Sequence, residues 1–225
     1  AQDALRMMGV PFPAAERAMH AVTWAEAVHG QGLRFLMARE ADLRTTVAIQ
    51  PRMVAEGDGT AVIDAGGASL LTAGPPALDL ATAYARASGI GMVQLRDTFG
   101  LMFAGELARW AAGRELGCIA ACWTPAASDP FEARGLLAAE PDTPLTRLDT
   151  SAPSCLLDDV PRNDIDPFAA GKAAPTTTSL ALFCFEPGHI DLRAMASPAD
   201  AFNHVGALAL RIRQPTSERS RNQAG

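Results

Sequence analysis

Two stretches of the chain carry residues suited to acid–base work. The first is GMVQLRDTFG, an apolar run that ends in Arg96, Asp97 and Thr98. The run reads as a buried strand, and open α/β sheets place ligands beyond the carboxyl ends of their strands. A guanidinium there would clamp a carboxylate through a bidentate pair, or serve as a structural partner for Asp97 or Glu106. The second is the helix expected from Leu101 to Glu115, in which Glu106 has Phe103, Leu107 and Trp110 as apolar neighbours. Burial among such side chains raises a carboxyl pKa and makes the group a general base near neutral pH. The competing readings are a solvated helix residue and an i, i+3 ion pair with Arg109.

Two further candidates lie in EAVHGQGLRFL. His29 closes a predicted helix, where a bond to backbone is the plain reading, and Arg34 follows it. His20 and His204 sit on predicted helices and His189 in a turn, without metal-ligand spacing. Cys118 and Cys122 fall on one face of GCIAACW, and with Cys155 and Cys184 they read as core thiols rather than a disulfide or metal set. No metal is expected.

The elements that must position these residues follow from patterning. Helices are expected at Asp3–Met8, from Ala14 to His29 and across LRFLMARE, with an extended stretch at Ile49–Val54, a GDGT turn and a short strand AVIDA. In GGASLLTAGPPALDLATAYARASGIG, Pro75 and Pro76 suit the first turn of a helix that Gly89 closes. The centre therefore alternates strand, helix, strand, helix, strand, which points to an α/β fold with a mixed sheet flanked by helices. Residues 125–179 are rich in Pro, Asp, Ala and Thr, and are expected as an irregular insertion or lid. TSLALFCFEP reads as a strand and Pro198–Arg211 as an amphipathic helix. One domain is expected over 1–213, with a disordered tail at 214–225.

Composition sets limits on partners. Hydrophobic residues make up 48% of the 225-residue chain, enough for a sizeable core, and the net charge of −6 offers no field for nucleic acid. No apolar run is long enough to span a membrane and no leader pattern is visible, so a cytoplasmic location is the expectation.

Several stretches, in this order, resemble the malate/L-lactate dehydrogenase family, the non-Rossmann type. EAVHGQGLRFL resembles that family's DSHG segment. VIDAGGASLLTAGPPALDLATAYARASGIGMVQLRDTFG resembles its run from a Gly-rich turn to RNSNHFG, and GRELGCIAACW the strand that follows. PLTRLDTSAPS is similar to its PLVLDMATS, and SLALFCFEPGHIDLRAMASPADAFNHVGALALRIR to its C-terminal strand and helix. The resemblance implies a reduced version of that fold, a homodimer, and His29 as an acid or base beside a substrate carbonyl. It also implies losses. Thr98 stands where the family has its second histidine, Arg34 is one residue out of register with the family's carboxylate-binding arginine, and the Gly-rich GGYKGYG stretch has no counterpart. A dinucleotide would lose several contacts at about 1.5–3 kcal/mol each, so no cofactor is expected.

The reduced scaffold and a retained Glu106 also resemble the bacterial β-carboline-forming Pictet–Spengler cyclases. That resemblance implies an aromatic amino acid and an aldehyde as substrates, Glu106 as base, His29 as proton shuttle, and Arg96, Arg34, Asp97 and Thr98 around the substrate. The alternatives are an NAD(P)H-dependent 2-oxo acid or imine reductase with His29 as proton donor, and a non-catalytic relative that binds a small molecule or a partner chain.

Overall fold

The computed structural model describes residues 2–125, 129–132, 135–143, 145–148 and 177–188. The chain begins with four helices, α1 (Gln2–Met7), α2 (Phe12–His29), α3 (Gly32–Ala38) and α4 (Glu40–Thr46). A hairpin follows, β1 (Arg52–Gly57) and β2 (Thr60–Ser69), then α5 (Leu70–Ser88), β3 (Ile90–Phe99), a 3-10 turn at Leu101–Phe103, α6 (Ala104–Ala112) and β4 (Gly117–Trp123). The remaining described strands are β5 (Gly135–Ala139), β6 (Thr146–Leu148) and β7 (Ser179–Phe185).

The seven strands form one mixed sheet in the order β1-β2-β3-β7-β4-β5-β6. Only β2 and β3 run parallel, joined by α5 as the crossover that a parallel pair requires. Every other pairing is antiparallel. The register of β2 on β3 slips between Asp64 and Ala68, at Gly66 and Gly67, whose φ angles of 59° and 82° are left-handed. The Gly-rich segment is thus a bulge within a strand, pinned by the Gly66 N–H donating to Asp64 Oδ1 at 2.9 Å.

One face of the sheet presents Val93, Leu95, Cys118, Ala120, Leu180 and Leu182 to a core shared with α2, α5 and α6. Side chains of the opposite parity, among them Ile90, Met92, Ile119, Phe183 and Phe185, are buried too. The centre of the sheet is therefore covered on both faces, and its strands are continuous apolar runs rather than alternating ones. Close approach needs glycine at two crossings. A Cβ at Gly91 would lie 2.0 Å from the Ala81 carbonyl oxygen of α5, and one at Gly105 would lie 2.6 Å from the Trp24 ring of α2.

Two expectations change, and one helix was not foreseen. Pro75 and Pro76 lie inside α5, not in its first turn, because Ser69 caps the helix earlier by accepting from Leu71 N–H at 3.3 Å. Residues 125–179 are not irregular throughout. GLLAA is small and apolar enough to pair with β4 as β5, and β6 pairs in turn with β5. The polar sequence from Glu40 to Thr46 forms α4, held by the i, i+4 pair of Arg44 with Glu40 at 2.9 Å. The expected helix at Pro198–Arg211, the tail, Cys155, His189 and His204 lie outside the described residues. Cys118 and Cys184 face each other across β4 and β7 with sulfurs 3.9 Å apart, both fully buried and free.

Candidate active site

Glu106 sits in the first turn of α6, where that helix crosses α2. It is 7% exposed, and both of its oxygens are engaged. Arg109 Nη1 donates to Oε2 at 2.9 Å and Trp110 Nε1 to Oε1 at 2.9 Å. The i, i+3 pair offered as the structural reading is therefore present, and it coexists with deep burial. Burial pushes the carboxyl pKa up, while Arg109, the Trp110 indole and the charge of His20 pull against it. The net direction is upward, so burial wins.

His29, the other expected catalytic residue, is exposed at the last turn of α2, where Gly30 closes the helix with φ 63°. Its ring stands edge-on to Trp24, with centroids 5.2 Å apart. Trp24 in turn abuts Gly105, the residue before Glu106. Thus α2 brings Trp24 and His20 to the Glu106 turn, with His29 against the Trp24 ring. Arg34 is exposed on α3.

Arg96, Asp97 and Thr98 do lie at the carboxyl end of β3. Arg96 is half-buried, and its Nε and Nη2 both donate to Gln94 Oε1, at 3.2 and 3.1 Å. The i, i+2 spacing on one strand face makes that pairing available, and Gln94 was not among the partners expected for Arg96. Asp97 is exposed and holds a left-handed φ of 52°. Thr98 is buried, its N–H donating to Thr178 O at 3.2 Å and its hydroxyl to Ala68 O at 2.8 Å.

A second charged cluster at this strand end was not foreseen. Glu132 accepts from the N–H groups of Gly100 and Leu101, at 2.7 and 3.2 Å, capping the turn that leads into α6. Burial raises its pKa, and those two backbone bonds oppose the shift. Arg39 pairs with Asp129 and Asp42, and its guanidinium lies 6.0 Å from the Phe99 ring centroid. Phe35 packs among Phe99, Phe103 and Phe131, which locks α3 and this loop against the end of β3. The one sequence cue was Gly100, whose φ of 82° leaves the following N–H groups needing an acceptor.

Two open clefts lie at the other end of the sheet. One, of about 540 Å³, is lined by Arg109, Ala112, Glu115, Glu140, Asp142 and Leu145 among others. Its neighbour, also about 540 Å³, shares Glu115, Glu140, Pro141 and Asp142 and reaches Gly117 and Phe185. None of the six expected site residues lines either cleft, but Arg109, the ion-pair partner of Glu106, lines the first. Among the described residues, no group of three or more His, Cys, Asp or Glu side chains is placed to hold a metal ion. Among them, too, no helix is long and apolar enough to cross a membrane.

No protein-family model matches the sequence, and no curated protein matches it in sequence. The likeness to known proteins is three-dimensional. A malate dehydrogenase from Pyrococcus horikoshii OT3 superimposes with a TM-score of 0.60 at 17% identity, covering 96% of this chain and 80% of that one. A sulfolactate dehydrogenase from Methanocaldococcus jannaschii gives 0.58 at 17% identity, covering 95% and 81%. A dehydrogenase from Sinorhizobium meliloti gives 0.63 at 14% identity, covering 100% and 95%. The mixed sheet flanked by helices is thus the malate/lactate dehydrogenase-like architecture expected from the sequence. At these identities the likeness speaks for the fold alone.

Proposed function

We propose that this chain is an enzyme that performs acid–base chemistry on a dehydrogenase-like scaffold, as a cofactor-independent Pictet–Spengler cyclase. The supporting observation is Glu106, a carboxylate 7% exposed whose pKa is raised by burial in spite of Arg109, Trp110 and His20. A carboxylate so placed is a stronger base than a solvated one and keeps its charge close to any cation bound beside it.

In this reading a tryptophan-type amine condenses with an aldehyde, losing water to give an iminium. The indole attacks that carbon and closes a six-membered ring. Glu106 then takes the indole C2 proton, which restores aromaticity, and its negative charge stabilises the iminium beforehand. His29 relays protons during the loss of water. Much of the rate gain comes from holding the two reactants together. Arg96 with Asp97 and Thr98, and Arg34 on α3, are the substrate-binding groups that the sequence suggests. The cations that bear on Glu106 are instead Arg109 and His20.

The test is incubation of the purified chain with L-tryptophan and a reactive aldehyde, following the tetrahydro-β-carboline product by chromatography and mass. Product that disappears in Glu106→Gln supports the reading. Tight binding of NADH or NADPH together with reduction of a 2-oxo acid or imine sinks it.

That outcome is the second reading, which the dehydrogenase-like fold favours. Reduced nicotinamide, when bound, would supply a hydride, and His29 would give the proton to the carbonyl oxygen. The strand end is a poor fit to it, because the Thr98 hydroxyl is buried and already donates to Ala68 O.

A further inference from the structure

Arg109 belongs to two settings at once. Its Nη1 donates to the buried Glu106 at 2.9 Å, yet its side chain is 52% exposed and lines the cleft of about 540 Å³. Leu145 makes the same link by a second route. It lines the cleft, and its Cδ2 would lie 2.9 Å from a Cβ at Gly105, beside Glu106. The cleft therefore reaches Glu106 through Arg109 and Leu145, and its lining carries both charges, Arg109 together with Glu115, Glu140 and Asp142.

We infer that this cleft binds a small zwitterionic α-amino acid, with Arg109 taking the ligand carboxylate and the acidic rim taking its ammonium group. The inference rests on the acid–base reading above and moves the carboxylate clamp from Arg96 or Arg34 to Arg109. Apolar support for the side chain comes from Ala112 and Leu145, and the volume lies within the range of small-molecule pockets. One guanidinium shared between Glu106 and an incoming carboxylate couples binding to the base. As Arg109 turns to the ligand, Glu106 loses its strongest donor and holds a proton more tightly. Arg109 is thus a binding residue that also adjusts the base. Binding of a carboxylate-bearing ligand should take up protons, which a neutral-tailed amine should not do.

The experiment is calorimetric titration of the full chain with L-tryptophan and with tryptamine, which lacks the carboxylate, in buffers of different ionisation enthalpy. Tryptophan should bind with proton uptake and tryptamine without it. Arg109→Ala should weaken tryptophan about tenfold or more, the loss of one charge-assisted pair, and change tryptamine by less than about twofold on the same basis. Ala112→Trp, which fills the cleft without touching a charge, should abolish both. Unchanged tryptophan affinity in both variants, or no binding by the parent chain, overturns the assignment. Product formation that needs Glu106 while Arg109→Ala leaves the tryptophan KM unmoved removes the cleft and keeps the cyclase. Tryptophan bound through Arg109 with no product from any aldehyde keeps the cleft and removes the cyclase.

Discussion

The protonation of Glu106 can be read from stability alone, with no substrate. Consider Glu106→Gln followed by urea unfolding between about pH 4 and about pH 8, a range that starts near the ordinary carboxylate value. The substitution removes the charge but keeps one carbonyl acceptor. That acceptor can hold the Trp110 indole N–H, now 2.9 Å from Oε1, a bond worth about 1 kcal/mol. The Arg109 pair is lost, and because Arg109 is 52% exposed, screening limits its worth to at most about 1 kcal/mol. That pair needs the ionised carboxylate, so at the acid end, where the folded chain holds the Glu106 proton, the parent and the variant should be about equally stable.

As pH rises past the ordinary carboxylate value, the unfolded chain releases the Glu106 proton while the folded chain keeps it. The folded state then binds more protons, so stability falls with pH, by at most about 1.4 kcal/mol per unit for one group. The fall stops once the pH passes the raised folded pKa. The parent should thus fall below Glu106→Gln across this window and then level off. His20 offers a control, since its positive charge favours the carboxylate, and His20→Gln should extend the window upward. A parent chain that gains on the variant as pH rises would mean that Arg109, Trp110 and His20 outweigh burial, and the case for Glu106 as a base would fail.

Three other outcomes are expected. Tyr84 is the chain's single tyrosine, and burial, aided by the Glu56 carboxylate 2.5 Å from its hydroxyl, pushes its pKa up to about 12. Its ultraviolet titration should show that midpoint, falling toward the ordinary value in Glu56→Gln, and stability should be lost as pH rises beyond the unfolded tyrosine's range. Gly91→Ala drives a Cβ to 2.0 Å from the Ala81 carbonyl oxygen, which is backbone and cannot turn away, and should cost about 3 kcal/mol or more by urea unfolding. Gly113→Ala is its counterpart, at φ −65° with the nearest atom 3.5 Å off, and should be neutral or stabilise by up to about 1 kcal/mol. Burial alone would raise the Asp79 pKa, but Arg17 and Arg114 bond its two oxygens at 2.7 Å each and hold it low. The stability this gives is present above the ordinary carboxylate range and lost as pH falls through the folded value, so Asp79→Asn should flatten the acid limb of a melting-temperature profile.

The sheet centre was legible because β3, β4 and β7 are unbroken apolar runs. Those runs are what a strand buried on both faces requires, and α5 and α6 fill the intervals between β2, β3 and β4. The start of α5 was misread because two prolines look like a first turn, whereas Ser69, with its side-chain cap, begins the helix six residues ahead of Pro75. The burial of Glu106 could be read from its apolar neighbours, and its pair with Arg109 from helical spacing. Neither spacing nor composition reports that α2 lies across α6, so the contribution of His20 and the place of Trp24 against Gly105 were out of reach. Nor does a local pattern connect Glu132 to Gly100, since their bond spans 32 positions. Arg96 was placed at a strand end, and Gln94, a partner two residues back on the same strand face, was not anticipated.

The strand order has a consequence for how the chain is made. β7 pairs with β3 on one side and β4 on the other, so the strand nearest the chain's end among those described is the one that joins the two parts of the sheet. Until residues 179–185 leave the ribosome, the described strands of a nascent chain can form a three-stranded piece, β1-β2-β3, and a separate piece, β4-β5-β6. Each piece offers an unpaired apolar edge that invites pairing with a neighbouring chain. Insertion of β7 also closes a long loop back to β3, and such distant pairing slows folding. A stalled or truncated product ending before Ser179 is therefore expected to be a target for chaperones or a seed for aggregation, however sound its helices are.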